Sequence, residues 1–139
     1  MKILILNGAN LNLLGTREPD IYGSTSMDDI LTHLKSEYSQ HAIEYFQSNF
    51  EGEIIGKIQE NDFDALVINP GAFTHYSYAI ADALKKKKKP KIEVHISNIY
   101  QREEFRQKSV TAAYTDAVLS GFGTEGYRLA IIHLISTIQ

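Results

Sequence analysis

Short apolar runs of strand length alternate along this chain with longer stretches in which apolar residues recur at helical spacing. Lys2-Ile3-Leu4-Ile5-Leu6-Asn7 is continuously apolar, the pattern of a parallel strand buried on both faces. Residues 28–40 then place Ile30, Leu31, Leu34 and Tyr38 on one helical face, with Ser26 as the N-cap and Asp28 and Asp29 in the first turn. A second strand is predicted at Ile43 to Gln47, a short helix at Glu51 to Glu60, and a third strand at Ala65 to Asn69, closed by Pro70-Gly71. A helix over roughly residues 74–88, a fourth strand from Ile92 to Ile96 and a short helical turn at Glu103 to Gln107 follow. The fifth strand is Ala117 to Ser120, and a final helix, about 124–137, buries Ile131, Leu134, Ile135 and Ile138.

Five strands separated by helices in 139 residues imply a single-domain α/β fold with one parallel sheet covered on both faces. The expected strand order is 2-1-3-4-5, a flavodoxin-like arrangement. The one long irregular connection, about residues 8–25, is expected to serve as a functional loop or lid.

Composition narrows the chemistry. Cysteine is absent, which excludes disulfides, thiolate metal sites and a cysteine nucleophile, and makes the cytoplasm the expected location. No apolar run is long enough for a secretory signal or a membrane span, so no membrane role is expected. The net charge of −3 hides a cluster: Lys85 to Lys89 and Lys91 leave only eight basic residues elsewhere against 17 acidic ones. Such a run can bind nucleic acid, but it has no interleaved aromatic residues and no second basic patch beside it. Cations that complement the end of a helix stopped by Pro90 are the simpler reading, and no nucleic-acid partner is expected.

Ligands of open parallel sheets bind beyond the carboxyl ends of the strands, near the point where strand order reverses. Asn10, Asn69, His75, His95 and Ser97 all follow or end strands one, three and four, so they are expected on one rim beneath the 8–25 loop. Glu93 and His95 are two residues apart in a strand and point to the same face. A carboxylate beside an imidazole favours its protonated form and fixes its orientation, which suits a general acid. Arg17 and Tyr22 lie five positions apart in the loop, and a guanidinium close to a phenol stabilises the phenolate, making it a usable base. Arg102 and Arg106, past strand four, can clamp an anionic substrate or pair with the acids between them.

Two other signals lead elsewhere. Gly121-Phe122-Gly123-Thr124-Glu125-Gly126 fits a dinucleotide-binding pattern, but only 13 residues follow it, so the unit cannot be completed. The glycines read as a tight strand-to-helix turn. His75 and His95 lack a convincing third ligand, so no metal is expected, and His33, His41 and His133 are expected away from the rim, solvated or at the core edge.

Four segments together resemble the type II 3-dehydroquinate dehydratases. They are Leu6 to Leu11 with Leu14 to Pro19 and Tyr22-Gly23; Gln47-Ser48-Asn49 with Glu51-Gly52; Asn69 to Ala72 with His75; and Glu93 to Asn98 with Arg102 to Arg106. The resemblance implies anti elimination of water from 3-dehydroquinate, through an enolate, to give 3-dehydroshikimate in the shikimate pathway to chorismate and the aromatic amino acids. It implies no cofactor, no Schiff base and no metal. Under it, Tyr22 is the general base, Arg17 stabilises the transition state, His95 is the general acid oriented by Glu93, and Asn10 stabilises the enolate. Ser97 and the backbone of Ile96 hold the substrate carboxylate; Asn69, His75 and Arg106 bind hydroxyls; Arg102 assists from the lid side. Asp82 matches a position used across a subunit contact, in a homo-oligomer expected to be a dodecamer of trimers. Ala9 stands where proline is frequent and Tyr100 where histidine is often seen, which bears on loop mobility more than on catalysis.

A non-catalytic receiver or flavin-binding module of the same architecture is the alternative. Asn69 stands where a receiver would carry an acidic phosphoacceptor, and Gly8-Ala9-Asn10-Leu11 is a poor phosphate cradle.

Overall fold

A computed structural model describes residues 1–15, 25–60 and 62–138. Strands β1 (Lys2–Asn7), β2 (Ala42–Gln47), β3 (Ala65–Asn69), β4 (Lys91–His95) and β5 (Ala117–Ser120) form one sheet in the order β2-β1-β3-β4-β5, with every neighbouring pair parallel. Four α-helices accompany them among the described residues: α1 (Met27–Glu37), α2 (Glu51–Glu60), α3 (Tyr78–Lys85) and α4 (Glu125–Ile138). No helix among these residues is long and apolar enough to cross a membrane.

The period-2 alternation of each strand divides the core in two. Ile3 and Ile5 of β1, Ala65 and Val67 of β3, and Ile92 and Val94 of β4 pack with α1 and α4. Leu4, Leu6, Leu66 and Ile68 pack with α2 and α3 on the other face. The centre of the sheet is therefore apolar on both sides, as the unbroken run in β1 predicts. On β4 the second face carries Lys91, Glu93 and His95 instead, all buried. That substitution of polar for apolar residues marks where the site is built.

Helix ends follow local chemistry. Ser26 and Asp29 close a reciprocal capping box on α1, with Oγ of Ser26 accepting from Asp29 N at 3.2 Å. The helix expected over 74–88 is instead two pieces, a 3-10 turn at Gly71–His75 and then α3. Ser77 is the reason, because its Oγ accepts from Ile80 N at 3.0 Å and so sets the helix start after it. The lysine run leaves the helix at Lys85. Lys89 Nζ donates to Phe63 O at 2.6 Å and Lys91 Nζ donates to Lys87 O, so these cations satisfy loop carbonyls instead of extending α3. Helix α1 also stops at Glu37, short of residue 40. Ile138, expected inside, is exposed; Leu134 is the last fully buried residue of α4, and Ile135 is partly buried against the core.

The carboxyl ends of β1 and β3 are drawn together closely. Gly8 N donates to Asn69 O at 2.8 Å, and a Cβ on Gly8 would lie 2.1 Å from the Pro70 carbonyl oxygen. Gly71 has φ +63°, and a Cβ there would come within 2.9 Å of Ala9 O. Gly8→Ala is accordingly expected to lower stability by roughly 2–4 kcal/mol, read from the midpoint of urea unfolding. An unchanged midpoint would contradict this account of the crossing.

Candidate active site

One cleft opens at the carboxyl ends of β1, β3 and β4, lined among others by Asn10, Asn69, His75, His95, Arg102 and Arg106. The rim predicted from strand order is therefore assembled. Behind His95 lies Glu93, which has no exposed surface. Glu93 Oε2 accepts from His95 Nε2 at 2.7 Å and from Ser109 Oγ at 2.8 Å, while Oε1 accepts from Thr111 Oγ1. Thr74 Oγ1 completes the cage at 3.3 Å from Oε2. Burial alone pushes the Glu93 carboxyl upward. The bond to His95, its charge and the hydroxyls of Thr111 and Ser109 together outweigh burial and hold the carboxyl below the usual range. An ionised Glu93 thus fixes the His95 ring through Nε2, leaving Nδ1 as its other polar atom.

His75 is held differently. Its Nδ1 lies 2.7 Å from the carbonyl oxygen of Lys108, so Nδ1 carries a proton and Nε2 is the free acceptor of the neutral ring. Burial, then the cationic surroundings of His95, Arg106 and Arg102, push His75 below the ordinary imidazole value, against the raising effect of the Lys108 bond. Two imidazoles on one cleft therefore play opposite parts, one tied to an anion and one favoured neutral.

Arg102 and Arg106 reach the cleft from the irregular stretch after β4. Arg106 also pairs through Nε at 2.9 Å with Glu103, one of the acids between the two arginines. Ser97 and Ile96 follow β4 directly and line the cleft; Ile96 is buried and Ser97 half-buried. Asn10 sits exposed at the mouth with φ 68°, a left-handed conformation that asparagine tolerates.

Several supports had no role assigned from the sequence. Asn49 Oδ1 accepts from Asn10 N at 2.8 Å and from Gln47 Nε2 at 3.0 Å, and Gln47 also donates to Gly8 O, so the end of β2 steadies the loop that carries Asn10. Tyr127 of α4 is fully buried; its hydroxyl donates to Asn7 Oδ1 at 2.9 Å and accepts from Asn69 Nδ2 at 3.0 Å. Asn69 Oδ1 accepts in turn from Gly71 N at 3.1 Å, which fixes the amide orientation at the cleft. Burial pushes the Tyr127 phenol well above its ordinary value, against the lowering effect of Asn69 and Asn7, so it remains protonated and able to donate. The only sequence sign of this bridge is a hydroxyl-bearing aromatic on the apolar stripe of a helix.

The other expected residues fall into two groups, those not described and those away from the cleft. Arg17 and Tyr22 fall outside the described residues. Asp82 is exposed on α3 and does not line the cleft of its own chain. His33 and His133 are exposed and His41 is half-buried, all away from the cleft. Gly121 and Gly123 have positive φ at the turn from β5 to α4, the tight turn the sequence suggested. Among the described residues, no group of three or more His, Asp or Glu side chains is arranged to hold a metal ion.

Removing the Tyr127 hydroxyl strands Asn7 Oδ1 and one donor of Asn69 in the interior. Tyr127→Phe is expected to cost about 1–3 kcal/mol in urea unfolding. A loss below about 0.5 kcal/mol would mean that the bridge is replaceable.

The sequence and the architecture have close counterparts. The family model described as Dehydroquinase class II matches residues 1–135. The 3-dehydroquinate dehydratase of Thermotoga petrophila is 54% identical, in an alignment covering 100% of this chain and 98% of that protein. The crystal structure of type II dehydroquinase from Propionibacterium acnes superposes with a TM-score of 0.93 at 45% identity, over 97% of this chain and 96% of the other. That of the type II dehydroquinase from Butyrivibrio crossotus also gives 0.93, at 49% identity and 97% coverage of each chain. With this much of its length matched, and with the cleft at the same three strand ends that its sequence singles out, the chain belongs to the class II dehydroquinase family.

Proposed function

We propose that the chain is a type II 3-dehydroquinate dehydratase, converting 3-dehydroquinate to 3-dehydroshikimate and water by anti elimination. The observation that carries this reading is the Glu93–His95 pair, with 2.7 Å between Nε2 and Oε2, beside the neutral-favoured His75 and the two arginines on a single cleft.

In the proposed reaction Tyr22, as tyrosinate held by Arg17, takes the proton from the carbon beside the ketone. The released electron pair forms the enolate, and Asn10 at the cleft mouth stabilises the charge that gathers on its oxygen. Collapse of the enolate then expels the hydroxyl on the opposite face as His95 delivers its proton, so that water leaves and the conjugated enone remains. Glu93 keeps the imidazole oriented throughout and stabilises its charged form. Ser97 and the backbone of Ile96 bind the substrate carboxylate, with Arg102 nearby from the lid side. His75 Nε2 accepts from a substrate hydroxyl, and Asn69 and Arg106 hold the others. Nothing in this sequence of steps calls for a metal, a cofactor or a Schiff base.

The same reading places the reaction in the shikimate pathway to chorismate and the aromatic amino acids, in the cytoplasm. It also gives a homo-oligomer, a dodecamer of trimers, with Asp82 on the exposed side of α3 available to a neighbouring subunit's cleft.

The conjugated enone absorbs in the ultraviolet, so turnover is followed directly. His95→Ala and Tyr22→Phe are each expected to lower kcat by about 10²–10⁴-fold with an unchanged circular dichroism spectrum. Turnover near wild type in either variant would overturn the assignment of that residue. Wild-type protein that bound flavin and left 3-dehydroquinate unconverted would favour the binding-module reading instead.

A further inference from the structure

The segment Lys108–Thr111 contributes none of the residues that line the cleft, yet it contacts the supports of both imidazoles. The carbonyl of Lys108 accepts from His75 Nδ1 at 2.7 Å. One residue on, Ser109 Oγ donates to Glu93 Oε2 at 2.8 Å, and two residues beyond that Thr111 Oγ1 donates to Oε1 of the same carboxylate. Between them Val110 N donates to Thr74 O at 2.7 Å, tying the segment to the turn that carries His75. Thr74 Oγ1 lies 2.7 Å from both Ser109 Oγ and Thr111 Oγ1, so the buried Thr74 and Thr111 and the half-buried Ser109 form one cluster around the carboxylate.

Proton counting restricts what this cluster can do. Each hydroxyl has one proton to give. Ser109 and Thr111 give theirs to Glu93, while Ser109 Oγ accepts from Ala112 N at 3.0 Å and Thr111 Oγ1 can accept the one proton of Thr74, so the cluster is satisfied when Glu93 brings no proton of its own. A protonated Glu93 would add a donor where acceptors are already engaged.

We infer that Ser109 and Thr111, with Thr74 and the Lys108 carbonyl, are positioning groups that lock both ring histidines, holding His95 by Nε2–H on Glu93 and His75 by Nδ1–H on Lys108. One four-residue stretch thereby decides that His95 Nδ1 and His75 Nε2 are the ring atoms left for substrate. This inference rests on the dehydratase reading for its kinetic consequences, but the ring tautomers themselves do not depend on it. Among the described residues, the charged or titratable groups that act on His75 are His95, Arg106 and Arg102, and the one that acts on Glu93 is His95; none of them is altered by changing a hydroxyl.

The sign of the pH effect follows. The hydroxyl donors favour the Glu93 carboxylate, so their loss raises the carboxyl toward neutrality and shifts the acidic limb of kcat upward. The test uses the full-length protein with ¹⁵N-labelled histidine, long-range ¹H–¹⁵N spectra and pH profiles of enone formation. Wild-type protein is expected to show His75 as the Nδ1–H tautomer and His95 protonated at Nε2. Ser109→Ala combined with Thr111→Val is expected to lower kcat about tenfold and raise its acidic limb by about one pH unit, with KM within about twofold. Thr111→Ser in the otherwise native chain is expected to keep the wild-type profile. If the double variant does not fold, Thr111→Val alone, which preserves side-chain shape, carries the same expectations at smaller amplitude. A wild-type His75 protonated only at Nε2 would overturn the inference, as would unchanged His95 signals and pH profile in the hydroxyl-free variant. Wild-type protein inactive on 3-dehydroquinate, but with both tautomers as expected, would refute the reaction while supporting the brace.

Discussion

A carboxylate with no exposed surface must be matched by donors on every side, because a buried ion left uncompensated costs several kcal/mol. Glu93 imposes that requirement on its surroundings. On a strand otherwise flanked by apolar neighbours, it draws a hydroxyl from the turn after β3 and two more from the approach to β5. The connection from β4 to β5 reflects this demand. In place of a crossover helix it contains three short 3-10 turns, at Ile99–Gln101, Glu104–Arg106 and Ala112–Tyr114. An α-helix here would direct polar side chains away from the sheet; an irregular path lets two hydroxyls from positions 109 and 111 enter together and still leaves Arg102 and Arg106 on the cleft.

The opposite face of the sheet has its own polar network. Asn7 and Asn69, neighbours in register on β1 and β3, turn toward α4 and meet at the Tyr127 hydroxyl. The cleft thus lies over a rim supported from both layers: hydroxyls and a carboxylate on the α2/α3 side, two amides and a phenol on the α1/α4 side. The glycine crossing at Gly8 and Gly71 brings β1 and β3 close enough for both networks to serve one cavity.

Much of this was readable from the residues alone, and the reason differs from case to case. The strand order followed from unbroken apolar runs separated by helical patterns, and the side-chain period of two put Glu93 and His95 on one face before any coordinates. Ser26 announced its helix through the capping pattern that it completes. The start of α3 was misplaced because Ser77, a residue unremarkable within an amphipathic stretch, takes a backbone N–H and resets the helix. Ser109, Thr111 and Tyr127 left no local trace, since their partners lie 16, 18 and as many as 120 positions away. Isolated hydroxyls in a stretch without periodicity look like solvated loop, and only tertiary structure shows that they are interior donors.

The Tyr127 bridge also bears on how the molecule is made. Asn7 lies on β1 and Tyr127 on α4, 120 positions apart with every other strand between them in sequence, so this interior contact closes only when distant parts of the fold come together. Contacts this distant in sequence are entropically slow to form. Until α4 docks, the paired ends of β1 and β3 hold Asn7 Oδ1 and one donor of Asn69 without the phenol that bridges them. The rim is then completed in one step, when α4 packs on the sheet and its phenol joins the two strand ends.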